Sequence, residues 1–193
     1  LAQVGDESIL PLVTALRDRS RAEGALIALA RLPSASRYAS DLRNFATNQI
    51  ESAIRYDELA HRIHISSPSP GSHAETDSNS LREKSGFPSI NRLALLQDSL
   101  QARAIKDGIE ALRAFAILSD RESIRIAIEN LQGRAANQSA NALETLESVR
   151  ESRLIRPLFR LWESTESPIR NSAFALETVH YLLSESDEWI RAC

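Results

Sequence analysis

Ser139-Ala140-Asn141-Ala142-Leu143-Glu144-Thr145 recurs as Ser172-Ala173-Phe174-Ala175-Leu176-Glu177-Thr178, with six of seven positions identical at an offset of 33 residues. Self-similarity at a period of about 20–50 residues marks a chain built from repeated supersecondary units. A weaker third copy, Ala25-Leu26-Ile27-Ala28-Leu29, lies in register with Ala142-Leu143-Glu144-Thr145-Leu146. A companion element repeats as well. Ile9-Leu10-Pro11-Leu12-Val13 resembles Ile155-Arg156-Pro157-Leu158-Phe159, and Glu7-Ser8-Ile9 recurs as Glu122-Ser123-Ile124. The unit is therefore helix, short turn, helix. One such hairpin cannot bury both of its apolar faces, and stacking it on its neighbours can.

Outward from these copies, apolar residues keep a helical period. Gly5-Asp6 reads as a stop and a cap after a helix ending near Val4. Ile9, Leu12, Val13 and Leu16 share a face of a helix over 7–18, with Pro11 in its first turn. A short helix over 21–32 turns Ala25, Leu26, Ala28 and Leu29 inward, and Pro33-Ser34 ends it. Two long helices follow, 36–65 with Tyr38, Leu42, Ala46, Ile50, Ile54, Leu59 and Ile63, and 91–118 with Leu93, Leu96, Leu100, Ile105, Ile109, Leu112 and Phe115. The polar stretch 66–89 between them reads as a surface loop, so the pair is expected to form one enlarged antiparallel hairpin. Asp120 should cap a helix over 122–131 that Gly133 stops, and helices over 134–149, 151–162 and 168–183 complete the series. No segment keeps a period of two, so no sheet is expected. The fold class is all-α: an α-solenoid of stacked antiparallel helix hairpins.

Composition narrows the functional classes. Lys and Arg total 23 against 26 Asp and Glu, a formal net charge of −3, and Lys84 and Lys106 are the only lysines. An acidic balance makes nucleic acid an unlikely partner, although a local basic patch can override net charge. The single cysteine, Cys193, permits no disulfide or cysteine-rich metal site within the chain. No apolar run is long enough for direct membrane insertion. The chain has no Met and starts inside what reads as a helix end. Residues 1–193 are accordingly expected to be one repeat domain cut from a longer protein, with Trp189 packing on a repeat that follows.

The small-residue first helices (Ala140, Ala142, Leu143; Ala173, Ala175, Leu176) and the capped second helices with an Ile/Leu face resemble HEAT repeats. The order Leu95-Leu96-Gln97-Asp98-Ser99-Leu100, Ala111-Leu112-Arg113-Ala114-Phe115, Asp120-Arg121-Glu122-Ser123-Ile124, Asn130-Leu131-Gln132-Gly133 and Ala140-Asn141-Ala142-Leu143-Glu144 is similar to the cytosolic HEAT region of bacterial membrane proteins. Those proteins have a transporter-like part (related to ATP/ADP translocases or major-facilitator proteins) and often a cyclic-nucleotide-binding domain. The resemblance implies an armadillo-like scaffold at the cytoplasmic face of the inner membrane. Its partners would be other domains of the same polypeptide or another protein.

Chemistry-bearing patterns are few. Asp57, His61 and His64 share a face of the first long helix at spacings of four and three, but a zinc site needs a further fixed ligand, so Asp57 is expected to lie on a solvated face. No Gly-x-Ser-x-Gly is present, and every glycine is isolated, so neither a nucleophile elbow nor a phosphate-cradling loop is expected. No catalytic residue and no cofactor are assigned. Arg150, Arg153, Arg156 and Arg160, at spacings of three, three and four, are expected on the exposed face of one helix, with Arg121, Arg125 and Arg134 extending the strip. Such a strip suits an acidic peptide, a phosphate backbone or anionic headgroups. The expected function is a non-catalytic interaction or interdomain scaffold module. The alternative is a HEAT-like solenoid enzyme of bilin-lyase or DNA-glycosylase type, or a nucleic-acid-binding solenoid.

Overall fold

The computed structural model describes residues 7–66, 92–133 and 136–163. The helix end and cap expected within residues 1–6, the loop after Ser66, the helix over 168–183 with its copy of the repeat, and Trp189 lie outside the described residues.

Among the described residues every regular element is helical. Helix α1 spans Ile9–Ala15. Pro11 falls in its first turn, where its missing N–H would have had no intrahelical acceptor. The helix stops short of the expected residue 18. There the Asp18 carboxylate accepts from the Ser20 N–H at 3.0 Å and the Ser20 hydroxyl at 2.7 Å, a side-chain turn that competes with helix continuation. Helix α2, Ala22–Leu29, buries Ala22, Ala25, Leu26 and Leu29. A 3₁₀ turn over Pro33–Tyr38, with its proline at the first position, leads into α3, Ala39–Ser66. Helix α4 is Arg92–Leu118 and α5 is Arg121–Gln132. As expected, Asp120 caps α5: its carboxylate accepts from the Ser123 N–H at 3.2 Å and from the Ser123 hydroxyl at 2.7 Å. Helix α6, Ala136–Ser148, contains the first copy of the repeated stretch, Ser139 to Thr145. Helix α7 covers only Ser152–Ile155, and a 3₁₀ helix, Arg156–Leu161, continues it. The single helix expected over 151–162 is thus broken. Pro157 lacks the N–H and its ring crowds the carbonyl one turn back, so the α-pattern does not pass through it.

The chain divides into two compact units, Leu1–Asp57 with Ala102–Glu166, and Glu58–Gln101 with Ser167–Cys193. In the first unit, α1 packs on α2, α5 on α6, and α6 on α7. These are consecutive helices in contact, as an all-α fold of packed helix pairs requires. Its core takes Ile9 and Leu16, Leu26 and Leu29, Leu42, Ala46 and Ile50, Leu112 and Phe115, Ile124 and Leu131, Leu146, and Leu158 into one cluster. Burying each large aliphatic or aromatic side chain contributes roughly 1.5–3 kcal/mol of transfer free energy. Gly108 lets α4 approach the 3₁₀ helix closely. A Cβ there would sit 3.0 Å from Leu161 Cδ1 and 3.2 Å from Trp162 Cη2. Within the second unit, Leu59, Ala60 and Ile63 of α3 and Leu96 and Leu100 of α4 are buried.

Candidate functional site

The arginine row does not lie on one helix. Arg150 sits in the turn between α6 and α7, Arg153 in α7, and Arg156 and Arg160 in the 3₁₀ helix. In an α-helix a step of four residues advances about 40° past a full turn, and in a 3₁₀ helix it advances about 120°. Arg156 and Arg160 therefore point in different directions: both are exposed, but Arg160 reaches Asp57. Arg160 Nη2 lies 2.9 Å from Asp57 Oδ2 and its Nε donates to the same oxygen at 3.0 Å. Asp57, expected on a solvated face, is only 3 % exposed. Burial of that carboxylate is tolerated because Arg160 supplies two charge-assisted donors. Among the described residues no group of three or more His, Cys, Asp or Glu is gathered as a metal site would need.

Arg150, Arg153 and Arg156 are exposed, and none makes an ion pair to another described residue. Beside them Leu154 is 46 % exposed. Arg125, proposed to extend the strip, is engaged on its own helix, bonded to Glu122 at 2.6 Å and also to Glu129. Both acidic neighbours raise the Arg125 guanidinium above its ordinary value. It is a poor candidate for an outside ligand. Arg121 is exposed, and Arg134 lies outside the described residues.

The first unit also encloses a polar cluster that sequence reading missed. Asp107, fully buried on α4, accepts from the Ser52 hydroxyl of α3 at 2.6 Å and from Arg19 Nη2 at 3.0 Å. Arg103 Nε lies 3.0 Å from its other oxygen. Arg19 also donates to Ser52 Oγ at 3.2 Å and Tyr56 Oη at 3.3 Å, and its guanidinium stands 5.6 Å from the Tyr56 ring centroid. Burial raises the Asp107 carboxyl above its ordinary value, with Ser52 and Arg19 pulling against it. One turn on, Glu110 is 1 % exposed and neither carboxyl oxygen has a hydrogen-bond partner among the described residues. Burial first, then the neighbouring Asp107 charge, pushes it up from 4.5 to about 7. Arg113, on the same helix, reaches Glu23 of α2 at 2.6 Å. The only signal in the sequence was indirect: Asp107 and Glu110 flank Ile109 on the apolar face of a long helix.

Above this cluster, still within the first unit, lies a half-open trough of about 500 Å³ between α1 and the first half of α3. Leu10, Val13, Thr14 and Arg17 form one wall, and Asp41, Asn44, Phe45, Asn48, Gln49 and Ser52 the other. Arg19 lines it too. Sequence reading followed the buried stripe of α3 and passed over this second one.

Among the described residues the fold is all-helical, built of packed consecutive helices, with a cation-rich edge and a mixed polar trough. No family model, curated protein or solved structure matches the chain.

Proposed function

We propose that the chain is a non-catalytic interaction module of HEAT-like stacked hairpins, which meets other domains of a larger polypeptide or a protein partner through the edge formed by Arg150, Arg153 and Arg156. The observation that carries this reading is that the three guanidiniums are exposed and have no ionic partner among the described residues, beside an exposed Leu154. Arginines next to apolar side chains are typical of protein interfaces, because the planar guanidinium is weakly hydrated and pairs with carboxylates in a bidentate manner. A non-catalytic role is favoured by where the tuned acid lies. Glu110 of α4, raised to about 7, is only 1 % exposed, and it does not line the trough. The resemblance of the sequence to cytosolic HEAT regions of transporter-like inner-membrane proteins supplies the proposed setting.

The test is cross-linking of the native protein in cells, with fractionation of the membranes. Cross-links from residues 150–156 to an acidic segment of a neighbouring domain or partner, lost in the R150E/R153E/R156E variant, are the expected result. A variant that retains every cross-link would overturn the assignment of the edge.

A further inference from the structure

We infer that the trough between α1 and α3 binds an extended peptide segment of about five residues, with a carboxylate at the end beside Arg17 and Arg19. The inference rests on the interaction-module reading and names the class of partner.

The α3 wall carries residues 41, 44, 45, 48, 49 and 52, which recur at the spacing helices use to pack against another element. Yet only Phe45 among them is apolar. Asn44, Asn48 and Gln49 present side-chain amides that bond to no other described residue. An amide offers both a donor and an acceptor, the same pair that a peptide group offers. A step of four residues along an α-helix rises about 6 Å. Two residues of an extended chain span about 6.6 Å. Asn44 and Asn48 therefore match alternate peptide groups of a segment lying along α3. The facing wall complements them: Leu10, 59 % exposed, and Val13 can take an apolar side chain.

The trough has electrical polarity. Arg19 lies at the Ser52 end, bonded to Ser52 itself, and Arg17, two residues before it in the chain, lines the trough as well. Arg17 has no ion-pair partner among the described residues. Arg19 is engaged by Asp107, Ser52 and Tyr56, so Arg17 is the guanidinium that would take the carboxylate. Asp41, at the far end, is eleven residues from Ser52, about 16 Å along the helix. That length accommodates about five extended residues.

Fluorescence polarisation with labelled pentapeptides, each with Leu at the centre and Glu, Ala or Lys at either end, tests the inference on the whole chain. A Glu-ended peptide should bind saturably, and Lys in that place should weaken it about tenfold or more. Arg17→Glu and Asn48→Leu change exposed side chains that bond to no other described residue. Each should weaken binding about tenfold with an unchanged circular dichroism spectrum. The R153E/R156E variant should bind the peptide normally. Saturable binding by no peptide of the set, or affinity untouched by both trough substitutions, overturns the inference. So does displacement by a single-stranded oligonucleotide that binds the trough more tightly. If the trough fails while the cross-links at residues 150–156 persist, the trough site is discarded and the interaction-module reading stands. Peptide binding without those cross-links supports the trough and removes the arginine edge instead.

Discussion

Helix α5 buries Ile124, Ala127, Ile128 and Leu131, whereas α4 buries Asp107 and Glu110 among Ala104, Ile109, Ala111 and Leu112. The charges of α5 stay outside and are satisfied locally, Arg125 by Glu122 and Glu129, and the helix start by Asp120. On α4 Asp107 has Arg103 one turn away and draws its other partners from afar, while Glu110 has no hydrogen-bond partner among the described residues. The distant partners of Asp107 are Arg19 and Ser52, 88 and 55 residues away in sequence. The difference shows two ways to specify a helix pair. An apolar stripe drives burial without direction, while a buried carboxylate has a few acceptable partners at defined positions. Unpaired, it leaves a large desolvation penalty uncompensated.

The contrast can be broken most severely at Asp107. Asp107→Ala leaves Arg19 and Arg103 without their shared counter-charge and should cost about 3–5 kcal/mol in urea denaturation. A loss below about 1 kcal/mol would mean that the cluster is no more specific than an ordinary surface pair.

Glu110 sharpens the comparison through pH. Its folded value is raised from 4.5 to about 7, so the folded state holds a proton that the unfolded state has released between those values. The stabilisation is fully present below pH 4.5 and fades as pH rises to about 7. Glu110→Gln should resemble the native chain at the acid end of that window. At pH 8 the variant should be more stable by about 1–3 kcal/mol, because Gln carries no charge to desolvate. Parallel stability–pH curves for the two proteins would refute the assignment.

The smallest effect is expected on α5. Asp120→Ala removes a side-chain acceptor from the first turn and should lower Tm by about 2–4 °C. Asp120→Asn or Asp120→Ser, which retain an acceptor, should recover most of it. A collapse of the fold on Asp120→Ala would show that α5 depends on a single cap more than its apolar stripe implies.

Much of the helical layout was legible because it depends on spacing. The stripe Leu42, Ala46, Ile50 was expected and is buried, and so were Ile109, Leu112 and Phe115. The Asp120 cap was legible for the same reason: capping joins residues three apart. The candidate surface was less legible. Spacing placed Arg160 with Arg156, but Pro157 changed the helix type and sent Arg160 to Asp57, 103 residues away. The trough was hidden because polar residues at packing spacing look like a solvated face until a second wall stands opposite them.

By itself, the sequence determined that the described residues would be helical, where most of their helices would run, and which apolar residues would point inward. Those properties follow from local geometry, since 3.6 residues per turn bring a helix's own residues to one face. The tertiary structure alone decided which charges would be buried, which arginine would be spent on an internal pair, and where two walls would leave a trough. Each of these depends on a partner brought from a distant part of the chain, and a buried charge is tolerated only where that partner arrives.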